Sequence, residues 1–253
     1  MPATPAWPPR SAPRLFVAGP LSNGASVVLD GAQAHYLAKV MRAAPGDVVI
    51  LCDDLTGEWP ATVSTAGKRE VSLMVGERLR PREQVPDFTL CAALLKKPHF
   101  DLVLEKATEL GVRRIQPLLT RRVVADKLNL DRARTIVTEA AEQCARTALP
   151  EVVAPMKLDA LLRDWPENRA LFFADEQGGA PAVSAFTAHP GPAALLIGPE
   201  GGFDEAERAA IRAHPAAIAI SLGPRILRGE TAAIAATALW MALAGDWRGE
   251  SQA

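Results

Sequence analysis

Two glycine-bearing loops contain the residue types in this chain that are best able to do chemistry. The first is Leu195-Leu-Ile-Gly-Pro-Glu-Gly-Gly202, and the second, about twenty residues later, is Leu222-Gly-Pro-Arg-Ile-Leu-Arg-Gly-Glu-Thr231. Each loop follows an apolar run typical of a buried strand and precedes a helix-like segment. Parallel strands present their carboxyl ends at one edge of a sheet, so we expect both loops there, where α/β proteins bind ligands.

The first loop has the composition of a turn that a ligand can approach closely. Gly198, Gly201 and Gly202 permit positive φ angles and leave the backbone accessible, and Asp204 is predicted to cap the helix that follows. The glycines lack the Gly-x-Gly-x-x-Gly spacing, and no Lys-Ser or Lys-Thr pair follows them, which disfavours phosphate binding. Taken alone, this loop fits an ordinary strand-to-helix turn equally well.

The second loop places three charges between two fully apolar elements. Arg225, Arg228 and Glu230 lie between the predicted strand 216–222 and the predicted helix 231–243. Burying such charges is costly unless they pair with each other or meet a ligand. The pattern therefore favours a ligand site, and the alternative is an internal pair between an arginine and the glutamate.

The composition indicates a globular protein without a membrane or metal signal. The 253 residues are 49% hydrophobic, which suits one large domain or two modest ones. The longest apolar stretch is too short to span a bilayer and no signal core is present at the N-terminus, so we predict a cytoplasmic protein. The three cysteines have neither disulfide-like nor zinc-like spacing and are predicted to pack in the core, and the histidines form no ligand set.

The charge distribution is uneven although the formal net charge is only −1. Seven Arg or Lys stand against two Asp between Arg113 and Arg134, whereas acids outnumber bases from Glu151 onward. A concentrated basic stretch on an otherwise acidic chain is typical of a local nucleic-acid contact. A solvated charged surface is the alternative.

Three regions follow one another along the chain. Residues 1–13 contain five prolines and are predicted to be a flexible extension. Residues 14–82 alternate short β-like runs with turn signals and one helix at 32–42, a pattern that predicts a small β-barrel domain. From residue 83 to 253, strands alternate with helices, which predicts an α/β domain with a mainly parallel sheet covered by helices.

Several strings in the same order resemble one family. The chain is similar to the RsmE-type 16S rRNA uridine-N3 methyltransferases of the SPOUT superfamily. The strings that carry the resemblance are His35-Tyr-Leu-Ala-Lys-Val-Met-Arg42 with Pro45-Gly-Asp47, Glu105-Lys-Ala-Thr-Glu-Leu-Gly-Val112, Glu139-Ala-Ala-Glu-Gln-Cys-Ala-Arg146 and the two glycine-bearing loops.

The resemblance implies a fold and an activity. The fold would be a PUA-like RNA-binding β-barrel at 14–82 followed at 83–253 by a SPOUT domain with a C-terminal trefoil knot. The family forms homodimers, binds S-adenosylmethionine and methylates N3 of a uridine in the decoding region of 16S rRNA in the small ribosomal subunit, uridine 1498 in the usual rRNA numbering. Neither a membrane nor a metal is implied.

The residues present suggest a hypothesis for how this activity would be carried out. Arg228 would stabilise the developing uracil anion, and Glu230 would either orient Arg228 or accept the imide proton. The expected cofactor-binding residues are Ile197, Gly198, Glu200, Gly201, Gly202, Leu222, Gly223, Leu227, Gly229 and Thr231. The expected RNA-binding residues are Arg14, His35, Arg42, Arg121, Arg122 and Arg146, the last on one helical face with Glu139.

Three positions depart from the family pattern. Gly229 stands where a polar residue is expected, Lys97-Pro-His99 replaces a Gly-Asp-basic turn, and Arg121 replaces an acid.

Two other classes of protein also stay open. A different SPOUT enzyme acting on ribose hydroxyls or tRNA would share the loops, and a non-enzymatic RNA-binding assembly factor would need only the basic surface.

Overall fold

The chain forms two compact units. The computed structural model describes residues 12–125 and 127–248. The first unit contains the residues up to Gln84 together with Ala141–Ala148, and the second contains Val85–Ala140 and the residues from Leu149 onward. Sequence reasoning placed the boundary at 82/83 and did not foresee that segment 141–148 groups with the first unit. The predicted extension 1–13 lies outside the described residues, apart from residues 12 and 13.

The first unit is a six-stranded sheet with a short helical segment. Its strands run in the order β1-β3-β4-β5-β2, with β6 paired to β4, and all pairs are antiparallel except β1 with β3. Alternating apolar residues of the strands point inward and form one core. The strands are β1 (Arg14–Phe16), β2 (Ser26–Asp30), β3 (Val48–Cys52), β4 (Gly57–Ala66), β5 (Glu70–Val75) and β6 (Arg80–Pro81).

The helix predicted at 32–42 has two parts. Helix α1 (Gly31–His35) continues directly into a π-helical turn, Tyr36–Val40. The segment ends at Arg42, which has a positive φ of 56°. A π-helical turn is rare and widens the helix by one residue. Periodicity alone predicted an uninterrupted helix because it does not register such a widening.

A buried carboxylate joins three strands of the first unit. Glu58 on β4 lies 2.5 Å from Arg14 Nη2 on β1 and 2.5 Å from Arg80 Nε on β6. Burial raises the pKa of Glu58, but the hydrogen bonds from Arg80 and Arg14 outweigh this effect and hold the pKa below its ordinary value of 4.5. Glu58 is therefore a paired anion that stabilises the edge of the sheet.

The second unit is an α/β layer structure with an all-parallel sheet. The strand order is β10-β8-β7-β13-β11-β14-β12, with β9 paired to β8. The strands are β7 (Phe88–Ala93), β8 (Arg114–Leu119), β9 (Glu151–Val152), β10 (Met156–Lys157), β11 (Ala170–Ala174), β12 (Ala180–Pro181), β13 (Ala193–Ile197) and β14 (Ala217–Ser221). The helices are α2 (Lys97–Glu109), α3 (Leu130–Cys144), α4 (Leu158–Arg163), α5 (Ala182–Ala188), α6 (Glu205–Ala213) and α7 (Gly229–Leu243), followed by a 3₁₀ turn, Asp246–Arg248.

The sequence explains why this sheet is covered on both faces. All five residues of β13 are buried, as expected for a central parallel strand that helices flank on each side. Helix α7 supplies much of the cover on one face, where the Trp240 ring stacks on Phe88 with 4.2 Å between ring centroids. The predicted α/β class with a parallel sheet is thus confirmed. The trefoil knot, which concerns threading of the C-terminal segments, stays a prediction.

Some local predictions differ from the structure. The elements β6, β9, β10, β12, α4 and α5 were not predicted, because elements this short carry little periodicity. Helix α3 ends at Cys144, so it does not extend to Arg146 as predicted, and Ala145 then takes a positive φ of 61°. Core packing is confirmed for Cys52 and Cys91, where burial raises the thiol pKa to about 12, whereas Cys144 is exposed.

The described part of the chain contains neither a membrane-spanning helix nor a cluster of metal-ligating side chains. None of its helices is long and apolar enough to cross a membrane. Residues 12–125 and 127–248 also contain no cluster of three or more His, Cys, Asp or Glu side chains arranged to hold a metal ion.

Substitution of Glu58 by glutamine is expected to destabilise the first unit. The change leaves two arginines without their anion, and because both are partly exposed we expect a loss of about 1–3 kcal/mol in the free energy of unfolding. Urea unfolding at neutral pH measures the loss. Glu77→Gln is the matched control, because Glu77 is exposed in the loop after β5. Equal urea midpoints for the two variants would contradict the prediction.

The contribution of Glu58 is also expected to depend on pH. Its pKa is lower in the folded than in the unfolded chain, so its stabilising effect is complete above the ordinary value and is lost as the pH falls below it. The stability difference between wild type and Glu58→Gln should be full at about pH 7 and should shrink below about pH 4.5. A difference that stays constant down to about pH 3 would show that the carboxylate charge does not matter.

Candidate functional site

Both glycine-bearing loops line one cavity in the second unit. The cavity has a volume of about 490 Å³ and lies at the carboxyl ends of the neighbouring strands β11, β13 and β14. This volume is within the range of cavities that bind small molecules and cofactors. The N-terminal ends of α2 and α7 complete its wall, with Lys96 and His99 on the α2 side. The expected location at one sheet edge is therefore observed.

Most of the predicted cofactor and catalytic residues line this cavity. Gly201 and Thr231 do not. The Gly201 carbonyl instead accepts a hydrogen bond from Arg122 Nη1 at 2.9 Å, and Thr231 is exposed on α7. The predicted residues that line the cavity are Ile197, Gly198, Glu200, Gly202, Leu222, Gly223, Leu227, Arg228, Gly229 and Glu230.

The three glycines of the first loop serve different purposes. Only Gly202 has a positive φ, at 65°. Gly198 is needed for space, because a Cβ at this position would lie 2.9 Å from the Phe203 ring. Gly201 has ordinary room, since the nearest atom to a Cβ there is 3.5 Å away on Arg122. The positive φ that glycine permits is thus used at one of the three positions.

Gly229 allows α7 to begin directly against the first loop. A Cβ at this position would lie 3.0 Å from Leu95 Cδ2 and 3.3 Å from the Gly198 carbonyl oxygen. Either contact is tighter than side chains ordinarily make. The departure from a polar residue at this position therefore coincides with close packing of α7 against the loop that follows β13.

A capping box holds the exit of the first loop. Asp204 Oδ1 accepts a hydrogen bond from the Glu207 amide at 2.7 Å, and Glu207 accepts one from the Asp204 amide, so the predicted N-cap of α6 is confirmed. Arg121 Nη1 lies 2.9 Å from Asp204. The bond from the Glu207 amide, and then Arg121, hold the pKa of Asp204 below its ordinary value.

The two predicted catalytic residues occupy the start of α7 in different environments. Arg228 is the N-cap residue and is exposed, whereas Glu230 lies buried in the first turn. Glu230 Oε1 is 3.0 Å from His99 Nδ1. No ion pair joins Glu230 to Arg225 or Arg228 in the described part of the chain. The alternative of an internal pair between arginine and glutamate is therefore wrong.

Sequence reasoning missed His99 and a cluster of charges after β11. Asp175 accepts hydrogen bonds from Arg212, and Arg208 Nε lies 3.2 Å from its carboxylate. Glu176 is 2.7 Å from Arg208 Nη2. Asp175, Glu176 and Arg208 all line the cavity. Their position directly after a predicted parallel strand was the available signal for the two carboxylates, whereas nothing local marked His99 or Arg208.

The predicted RNA-binding residues of the first unit fall into two groups. His35 and Arg42 are exposed on and after the helical segment, where RNA can reach them. Arg14 is only 22% exposed and is paired with Glu58. The prediction for Arg146 is wrong, because α3 ends before it and its buried side chain lies 3.9 Å from Glu83, away from solvent.

The two predicted RNA-binding residues of the second unit are exposed and lie beside the first loop. Arg121 pairs with Asp204, and Arg122 donates to the Gly201 carbonyl. Both guanidinium groups therefore have protein partners while they face solvent. Burial does not prevent either from meeting a phosphate.

Two family models match the chain. A model described as an RNA methyltransferase domain matches residues 81–241, which is more than half of the chain. A model described as an RNA methyltransferase PUA domain matches residues 29–74. The first of these regions corresponds to the second unit apart from residues 81–84 and 141–148, and the other lies within the first unit.

Several relatives and a solved structure carry the name ribosomal RNA small subunit methyltransferase E, and another solved structure is described as a methyltransferase. Ribosomal RNA small subunit methyltransferase E of Synechocystis is 35% identical over 89% of this chain and 76% of that protein, and the Mycobacterium tuberculosis protein is 31% identical over 88% and 92%. The Neisseria gonorrhoeae structure of this methyltransferase, bound to S-adenosyl methionine, is 28% identical with a TM-score of 0.85, covering 93% of this chain and 99% of that one. Lpg2936 of Legionella pneumophila, in complex with the same cofactor, is 29% identical with a TM-score of 0.82 and the same coverage.

The resemblance predicted a PUA domain followed by an α/β methyltransferase domain with a parallel sheet. This fold agrees with the family models and with the structure. Both loops that carried the resemblance line one cavity in the structure. The chain is an RNA methyltransferase and belongs to the ribosomal RNA small subunit methyltransferase E family.

Proposed function

We propose that this protein transfers a methyl group from S-adenosylmethionine to N3 of a uridine in the decoding region of 16S rRNA, uridine 1498 in the usual numbering. One observation carries the proposal. A single cavity brings together both glycine-bearing loops, the exposed cation of Arg228 and the buried carboxylate of Glu230. This set of groups can hold a flat cofactor beside a base whose nitrogen must lose a proton.

The cavity has features that suit S-adenosylmethionine. Its volume of about 490 Å³ is large enough for a small-molecule cofactor. Two solved structures with a similar fold contain bound S-adenosylmethionine. Gly198, Gly202 and Leu222 line the cavity, and their backbone groups would hold the adenosine and methionine parts. When bound, the cofactor supplies an activated methyl group on a sulfonium.

The protein would contribute orientation and charge. Holding two reactants in line can lower the barrier by roughly 7–11 kcal/mol, whereas a general base adds about a hundred- to ten-thousand-fold. Arg228 would stabilise negative charge that develops on the uracil ring as N3 loses its proton. Exposure of Arg228 at the N-cap of α7 leaves its guanidinium free to approach a base.

Exposed histidine and arginine side chains on each unit would bind the RNA. His35 and Arg42 would contact phosphates from the first unit, and Arg121 and Arg122 would do so from the second. Arg14 would take part only through the exposed fraction of its side chain. The family model for a PUA domain supports an RNA-binding role for the first unit.

We also propose that the protein acts as a homodimer in the cytoplasm, where ribosomal subunits assemble. Helix α7 packs one face on the sheet, while its opposite face carries partly exposed apolar residues, among them Leu239 at 36% exposure. An apolar face of this kind suits a contact with a second copy. Sedimentation velocity of the full chain measures the oligomeric state directly.

Transfer of label to small ribosomal subunits tests the proposed reaction. Purified protein is incubated with labelled S-adenosylmethionine and subunits from cells that lack this enzyme, and the modified nucleoside is then mapped. N3-methyluridine at one decoding-region position supports the proposal. Label on a ribose hydroxyl or on another base would show that the substrate atom is a different one. The absence of transfer would contradict the proposal that small subunits are the substrate.

Arg228→Ala is expected to slow methyl transfer without preventing cofactor binding. Loss of a donor aimed at a developing anion costs about a hundred- to a thousandfold in rate. Single-turnover rates and calorimetric cofactor affinity measure the two effects separately. Arg163→Ala is the matched control, because Arg163 is exposed on α4 and does not line the cavity. Equal rates for both variants would remove Arg228 from the mechanism.

Gly198→Ala is expected to weaken cofactor binding by about tenfold or more, which is about 1.4 kcal/mol. The added Cβ would lie 2.9 Å from the Phe203 ring, so the ring or the loop must move. Isothermal calorimetry with S-adenosylmethionine gives the affinity. Gly76→Ala serves as control, because its nearest neighbour in the first unit is 3.4 Å away. Unchanged affinity in Gly198→Ala would show that the loop position is not needed.

Arg42→Gln is expected to weaken RNA binding and to reduce its salt dependence. Loss of one phosphate contact should lower the slope of log affinity against log salt by about 0.7–0.9. Filter binding of small subunits over a range of salt concentrations measures the slope. Arg69→Gln, on an exposed turn of the same unit, should leave the slope unchanged. Identical slopes for the two variants would exclude a phosphate contact by Arg42.

A further inference from the structure

The imidazole of His99 and the carboxylate of Glu230 form a pair in the wall of the cavity. His99 lies in the first turn of α2 and Glu230 in the first turn of α7, and the Nδ1 and Oε1 atoms are 3.0 Å apart. The glutamate side chain is 10% exposed and the histidine side chain 34% exposed. The carboxylate is thus the inner member of the pair, and the imidazole is the member with greater access to solvent.

The pairing determines which ring nitrogen carries the proton in neutral His99. An ionised carboxylate can only accept hydrogen bonds, so Nδ1 must be the donor and Nε2 keeps its lone pair. Nε2 lies on the side of the ring away from Glu230. A carboxylate bound to Nδ1 in this way makes Nε2 a general base and stabilises the imidazolium that forms when it takes a proton.

The other charged groups around the cavity are less suited to accept a proton. The arginines and the lysine are already protonated at neutral pH. Asp175 and Glu176 are engaged by arginines, and Glu200 Oε1 is 3.4 Å from the Lys96 amide. A carboxylate is ordinarily a weaker base than an imidazole. The charged and titratable residues that line the cavity with His99 are Lys96, Asp175, Glu176, Glu200, Arg208, Arg225, Arg228 and Glu230.

We propose that His99 is the general base of the methyl transfer and that Glu230 positions it. This inference rests on the proposed function, and it identifies the proton acceptor that the two loops alone leave undecided. It makes Glu230 a positioning residue that acts through His99. Arg228 keeps the separate task of stabilising charge on the uracil ring.

The proposed step balances in atoms and charge. The N3–H bond breaks and its proton moves to His99 Nε2, while the electron pair left on N3 forms the bond to the methyl carbon. The bond between that carbon and sulfur breaks with both electrons going to sulfur, so the sulfonium becomes a neutral thioether. His99 leaves the step as an imidazolium paired with Glu230, and it returns its proton to solvent through its exposed edge.

Single-turnover methylation of small subunits by His99→Asn tests the role of the base. Asparagine can keep an N–H donor near the position of Nδ1 but has no basic nitrogen. The rate is expected to fall by about a hundred- to ten-thousand-fold, with cofactor affinity unchanged. The pH profiles of the wild-type and variant rates should also differ in shape, because only the wild type has a basic nitrogen at this position. His189→Asn, an exposed histidine outside the cavity, should match the wild type in both respects.

Two further measurements separate a base from a merely structural residue. Added imidazole should restore part of the rate of His99→Ala in a concentration-dependent manner and should not change the rate of His189→Ala. Nitrogen-15 NMR of the histidine side chains, independent of any activity, should show neutral His99 as the Nδ1–H tautomer. That preference should be lost in Glu230→Gln.

The outcomes distinguish this inference from the proposed function. If the wild type methylates uridine N3 and His99→Asn does so at a rate within about threefold, with the same pH profile, the role of His99 is overturned. An Nε2–H tautomer in the wild type overturns it as well. If the wild type transfers no methyl group to N3, the proposed function fails and the base assignment fails with it.

Discussion

The close packing of α7 on the loop that follows β13 is the contact on which the site depends. Because residue 229 has no side chain, the first turn of α7 reaches Leu95 and the carbonyl of Gly198. This approach places Arg228 and Glu230 beside the backbone of the first loop. The parallel sheet makes the approach possible, since β11, β13 and β14 are neighbours and present their carboxyl ends at one edge. A bulkier residue at position 229 would have to displace either Leu95 or the loop.

Several carboxylates near the cavity in the second unit are paired with arginines, whereas Glu230 is paired with His99. The carboxylates after β11 are neutralised by Arg208 and Arg212, and Asp204 is engaged by the Glu207 amide and by Arg121. Pairing of this kind offsets the cost of removing charge from water. Glu230 is paired with an imidazole rather than a guanidinium, so its partner has a second ring nitrogen that can accept a proton. The same cavity therefore contains permanent cations and a candidate proton acceptor.

In the first unit, a buried carboxylate paired with arginines stabilises the fold and has no part in catalysis. Glu58 connects β1, β4 and β6 through Arg14 and Arg80, which ties Arg14 to the sheet. His35 and Arg42, on and after its helical segment, are exposed instead. In this unit, exposure separates the arginines that hold the fold from the residues that can meet a phosphate. Arg146 belongs to the former group because it is buried near Glu83.

The sequence by itself determined the class of the fold, the order of its main elements and the two loops of the site. Local patterns suffice for these features, because apolar runs such as Ala193–Ile197 and glycine-bearing turns are properties of neighbouring residues. Only the tertiary structure decided which side chains meet across the cavity. His99 and Glu230 are far apart in the chain, and their contact depends on how α2 and α7 pack on the sheet. The burial of Arg146 was decided in the same way, since helix periodicity could not foresee that α3 ends before it.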